Sequence, residues 1–211
     1  MDSQATWSER FADGCLHVAG VAAGCIAVAV LLAFAIPTLP AHASVSLTVY
    51  GAGMLTMFGC SAAYHMTPAP DWKPLLRRVD QAAIFLKIAA TYTPFLVVKM
   101  GDGWGYGMLG LIWATALAGA LAKLLLTSRW DGVSLVLYLA LGWASVFTLY
   151  PLSSAVPALS LQLLGAGGVL YTLGVVFHVW HSLPYQNAIW HVFVLAGTGC
   201  HFGAVVYAIF D

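Results

Sequence analysis

Charge is what this sequence has least of. Its 211 residues include eight Lys or Arg and eight Asp or Glu, so 8% are charged. A soluble domain carries about 25%. Adding the seven histidines still leaves too little polarity to cover a water-facing surface. That excludes a soluble globular domain, a disordered chain and a nucleic-acid binder built on a basic patch. The formal net charge is 0, so bulk charge favours no partner. Cysteine is scarce as well. Cys15, Cys25, Cys60 and Cys200 stand in or beside apolar runs without C-x-x-C spacing. They read as small apolar residues, with neither a disulfide framework nor a cysteine zinc knuckle. Internal repeats and low-complexity tracts are absent too. The opening MDSQATWSERFADG lacks the basic n-region of a cleaved signal peptide, and the apolar run after it is too long for an h-region. That run reads as a retained helix.

What the chain has in quantity is apolar surface: 61% of residues are hydrophobic and mean hydropathy is +0.88. Spanning hydrocarbon takes about 20 apolar residues per helix, so seven helices use about 140 and leave about 70 for loops and ends. The expected fold is all-α, a single seven-helix transmembrane bundle over 1–211 with a short cytoplasmic segment at 1–14. Apolar runs and Pro/Gly breakers place the spans at Cys15–Ile36, Ser44–His65, Val79–Met100, Tyr106–Leu126, Val133–Tyr150, Ala158–Trp180 and Asn187–Phe210. Pro94 is expected to kink the third, with Thr91 or Thr93 serving the freed backbone.

The few cations orient the bundle. Arg10, Lys73, Arg77, Arg78, Lys123 and Arg129 fall on one side, the side of the N-terminus, and only Lys99 lies beside an opposite loop. The positive-inside rule then puts the N-terminus in the cytoplasm and the C-terminus outside. Trp72, Trp104, Trp130, Tyr106 and Tyr150 fall near the interfaces, as aromatic anchors do.

An ionisable group near the bilayer centre costs about 2.5–3.5 kcal/mol, so each one inside a span needs a reason. Ser61 and His65 end the second span, Asp80 opens the third, and Asn187 and His191 open the seventh. With alternating directions these five fall at one level, just inside the cytoplasmic leaflet. Ser61/His65 and Asn187/His191 are each i, i+4 and share a helix face. Two histidines and a carboxylate with water in the fourth position form an established catalytic zinc set. The plain alternative is a set of interhelical hydrogen bonds. Lys87 lies two turns beyond Asp80, about 10 Å deeper. There it faces the bundle and serves either a lipid headgroup or carboxylate, or a structural pair. His201 is about 15 Å from His191, too far to share a metal, and reads as a bundle hydrogen-bonding residue. His17 and His42, near helix ends, read as solvated, and Cys60 points away from Ser61.

GCSAAYH, RRVDQAAIFLKIAATYTPF and NAIWHVFVLAGTGCHFGAV together resemble the hemolysin III branch of the progestin and adipoQ receptor superfamily, to which alkaline ceramidases are more distantly similar. The resemblance covers helices 2, 3 and 7 in order and spacing. It implies a seven-helix fold with Zn2+ near the cytoplasmic side. The S-x3-H motif falls on Ser61 and His65, and the metal-binding or water-ordering aspartate on Asp80. The H-x3-H motif falls on Asn187 and His191, so this chain departs from it at Asn187. The missing imidazole is then replaced by Asp80, by the Asn187 oxygen or by another group, with His178 and His181 as further candidates.

Three functions compete. One is a zinc-dependent hydrolase of a lipid amide or ester, with Asp80 as base or water-orienting group and Ser61 bonding the water or the oxyanion. A second is a non-catalytic homeostasis or receptor-like protein in which zinc clamps helices 2, 3 and 7. The third is a pore-forming hemolysin, which the clustering of polar residues at one level disfavours. A retinal protein is disfavoured because the seventh helix has no lysine. The expected partner is a membrane lipid or lipid-like substrate, and no nucleic acid.

Overall fold

The computed structural model describes residues 6–125, 131–148 and 152–211. Leu126, Arg129, Trp130 and Tyr150, which bear on the expected span ends, orientation and interface anchors, lie outside the described residues. Among those described, all regular structure is helical. Seven α-helices follow in order: α1 Trp7–Thr38, α2 Ala41–Met66, α3 Lys73–Pro94, α4 Gly103–Leu125, α5 Asp131–Trp143, α6 Ala158–Val179 and α7 Gln186–Phe210. Six elements are long and apolar enough to cross a membrane, and α5 is a shorter apolar helix. The chain is a polytopic helical membrane protein.

Several boundaries differ from the sequence reading, among them the fifth helix, which ends at Trp143 and continues as a 3-10 turn over Ala144–Thr148, and two differences have clear physical reasons. The first helix begins at Trp7 rather than Cys15. Thr6 and Glu9 form a capping box, Glu9 N–H donating to Thr6 Oγ1 (3.3 Å) and Thr6 N–H to Glu9 Oε2 (2.7 Å). This satisfies donors that a helix start leaves open and carries the helix through the polar residues 7–14. The third element runs as α-helix to Pro94 and then as π-helix over Phe95–Met100. Pro94 cannot donate to the carbonyl four residues back. Thr91 and Thr93 donate elsewhere, to the carbonyls of Lys87 (2.9 Å) and Ala89 (3.0 Å). Gly101 ends the segment in the left-handed region (φ 55°), where glycine carries no Cβ penalty. Asp102 then caps α4 by accepting from Gly105 N–H at 2.7 Å.

The packing puts α3 at the centre, against α2, α4, α5 and α7, while α1 packs on α2 and α7. One apolar cluster joins α1, α2 and α7 through Val28, Leu47, Tyr50, Met54 and Val205, and a second joins α3, α4 and α5 through Phe85, Tyr92, Ile112, Ala116 and Leu141. Close approach of α2 to α3 depends on Gly53, whose place a Cβ would put against that of Ala90. Outward faces stay apolar: Ile26, Phe34, Leu111 and Leu125 are more than half exposed. Such faces suit hydrocarbon, not water. Trp72, Trp104 and Tyr106 are exposed as well, as interfacial anchors are.

Candidate metal centre

The start of α1, the end of α2 and the starts of α3 and α7 meet at one end of the bundle, so their polar residues converge. Asp13 and His17 are one turn apart on α1 and both are buried, at 8% and 6% exposure. His65 comes from the last turn of α2 and His191 from the second turn of α7. The Asp13 carboxylate sits among the three rings. His191 Nδ1 lies 2.6 Å from its Oδ1, and His65 Nδ1 2.9 Å from its Oδ2. His17 Nε2 stands 3.6 Å from Oδ2, too far for a hydrogen bond. Ring centroids are 4.7 Å apart for His17–His65, 4.3 Å for His17–His191 and 4.6 Å for His65–His191.

Asp13, His17, His65 and His191 can each present a ligand atom, all within 4.8 Å of one another. Three imidazoles and a carboxylate are a donor set suited to zinc or a similar divalent ion. The fit has a second support. His17 Nε2 is buried with no hydrogen-bond partner, a state that costs about 1–3 kcal/mol and that a cation would relieve.

The sequence-derived candidates distribute as follows. His65 and His191 meet. Asp80 and Asn187 are partly buried on the wall of the adjoining cavity, outside the group of four. Ser61 lines the same cavity wall as Asp80. His178 and His181 also line the cavity outside that group. His17, read from sequence as solvated, is a buried member of the group, because α1 starts two turns earlier than its apolar run. Asp13 went unnoticed for the same reason. The signals that would have found them are the T-x-x-E cap at Thr6–Glu9 and the i, i+4 spacing of Asp13 and His17.

The cavity beside the group has a volume of about 1510 Å3 and is bounded by residues of all seven helices, α4 contributing Lys123. Lys87 lies deep in it, 4% exposed, donating to Tyr171 Oη at 2.8 Å. Tyr171 Oη in turn shares a hydrogen bond of 2.6 Å with Thr198 Oγ1. His201 Nδ1 is buried without a partner, its ring centroid 5.4 Å from that of Tyr171. At the cluster's end Glu9 Oε1 accepts from Tyr185 N–H at 2.8 Å, tying α1 to the turn before α7.

A polytopic helical bundle with a His/Asp cluster at one end is the class these features define. Within it, the sequence profile described as "Haemolysin-III related" matches residues 5–202, and the chain belongs to that family. It is 33% identical over 202 residues to "Hemolysin-3 homolog" of Bacillus subtilis, covering 96% of this chain and 95% of the relative. "Hemolysin-3" of Bacillus cereus is 33% identical over 201 residues, covering 95% and 92%. The human "Monocyte to macrophage differentiation factor" is 30% identical over 166 residues, covering 74% of this chain and 67% of the relative. The kinship with the progestin and adipoQ receptor group holds with it.

Proposed function

We propose that the protein is an intramembrane zinc-dependent hydrolase acting on a lipid amide or ester from the cytoplasmic side of a bacterial inner membrane. One observation carries the reading: a cluster of three histidines and an aspartate opens onto a large, mainly apolar cavity inside a membrane bundle. The topology proposed with it has seven spans, α5 being the seventh, with the N-terminus inside. It is supported by Arg10, Lys73, Arg77, Arg78 and Lys123, which all stand at the cluster's end of their helices.

His17, His65 and His191 would hold the ion, with Asp13 as fourth ligand or as the carboxylate that fixes the rings. Zinc supplies a lowered pKa for water and polarisation of a carbonyl. The chain's own part is positioning. Asp13 accepts from the His65 and His191 N–H groups and so fixes two ring orientations. Asp80 stands close by on α3, where its carboxylate can take a proton from water. Ser61, on the same cavity wall, can donate to the developing oxyanion. The apolar walls hold acyl chains and limit water.

The test is metal analysis of purified protein together with turnover of ceramide and phospholipid. Zinc with turnover, and loss of both in His65→Ala and His191→Ala, supports the proposal. Stoichiometric zinc without turnover favours the second reading, a clamp joining α1, α2 and α7, since the three rings come from those helices. In that case the histidine variants lower thermal stability as they lose metal, and no reaction disappears.

A further inference from the structure

Lys87 and its surroundings form a polar subsite separate from the histidine cluster. It lies seven residues past Asp80 on α3, about 10 Å further into the bundle. Its surface is 4% exposed, and its Nζ donates to the neutral Tyr171 Oη. An ammonium carries three N–H donors. The carboxylates on the cavity wall are Asp13 and Asp80, both at the cluster's end, and among the described residues none stands within ion-pair distance of Lys87. A buried cation facing only neutral oxygens is costly unless an anion joins it. Close by, His201 Nδ1 is also buried without a partner. The subsite's polar capacity is therefore not satisfied from within the protein.

We propose that this subsite binds the carboxylate of a long-chain fatty acid lying in the cavity, with Lys87 as the anchoring cation. The carboxylate follows from charge. The other cations on the wall, Arg10, Lys73, Arg77 and Lys123, belong to the cluster's end, so Lys87 offers a single positive charge. A phosphate monoester carries about −1.5 to −2 and would bring excess negative charge into an apolar site. The long chain follows from the walls, where Leu96, Leu161 and Leu164 continue the cavity with apolar surface. The acid bound here is anchored two helical turns beyond Asp80. The inference goes beyond the hydrolase reading and does not rest on it.

The experiment is competition against radiolabelled palmitate on the full-length protein in nanodiscs, with palmitate, methyl palmitate, hexadecyl phosphate and acetate as competitors. Palmitate should compete at least about tenfold better than methyl palmitate, and better than hexadecyl phosphate, with acetate ineffective. Lys87→Met should weaken palmitate about tenfold or more and leave methyl palmitate where it was, while Lys87→Arg retains binding. His65→Ala should keep the palmitate affinity even where metal is lost, which separates this site from the metal centre. Equal binding of acid and ester by the wild-type protein overturns the proposal, and needs no variant to fold. So does unchanged palmitate affinity in Lys87→Met. Tighter binding of hexadecyl phosphate overturns the carboxylate assignment, and competition by acetate overturns the long-chain one.

Discussion

Replacing Asp13 with alanine separates the structural reading of the metal centre from the one that sequence spacing suggests. In the folded protein Asp13 holds His191 Nδ1 at 2.6 Å and His65 Nδ1 at 2.9 Å, with His17 Nε2 at 3.6 Å. The variant removes either a ligand or the group that orients two ligands. Orienting partners of metal-bound histidines are worth about 10–100-fold in affinity, which corresponds to about 1.4–2.7 kcal/mol. Two hydrogen bonds to a charged group also vanish, each worth about 1.5–3 kcal/mol. Breaking one side of such a buried set costs about 3–5 kcal/mol of folding stability. Zinc competition against a chromophoric chelator measures the first effect, and thermal unfolding of chelator-treated protein the second. Asp80→Asn serves as the comparison, because Asp80 stands outside the group of four. It should keep zinc affinity while losing any turnover. Wild-type zinc affinity in Asp13→Ala, or a greater loss in Asp80→Asn than in Asp13→Ala, would refute the reasoning.

Other outcomes follow from the same contacts. His17→Ala should reduce zinc stoichiometry as His65→Ala does, measured by elemental analysis, because His17 Nε2 faces the group with no other partner. Tyr92→Phe should lower the unfolding temperature. Its hydroxyl donates to Gly142 O at 2.7 Å and accepts from Ser145 N–H at 2.7 Å, and leaving those groups unpaired costs about 1–3 kcal/mol. Gly167→Ala should destabilise by about 1–3 kcal/mol in a detergent melt, since the new Cβ would strike the His201 ring and come within 3.1 Å of Gly197 O. Chelator treatment should lower the melting temperature of wild-type protein and leave that of His65→Ala nearly unchanged, because ligand binding stabilises only a site that can bind.

Most of the architecture was legible because a bilayer imposes simple demands. The apolar runs gave each helix, and alternation of direction put His65 and His191 at one level, where the structure joins them. Pro94 marked the break that became a π-helix. The beginning of α1 was not legible by the same rule. Residues 7–14 are polar and amphipathic, so hydropathy alone reads them as a tail, yet their cap and turn spacing make them helix. Asp13 and His17 disappeared with that segment. Lys87 was recognisable as interior from its position in α3, but its neighbour Tyr171 comes from α6, 84 residues on. Local spacing carries no information about such a pairing.

The capping of α1 has a consequence for biogenesis. Asp13 emerges from the ribosome with the first helix, and its partner His191 belongs to the last, 178 residues later. Until that helix inserts, a carboxylate and two imidazoles must wait in the nascent bundle without their full complement, near the membrane boundary where water can still reach them. A chain truncated before its final helix would keep that hydrated, open state. The cluster can therefore close only after α7 has joined α1 and α2 in the bundle.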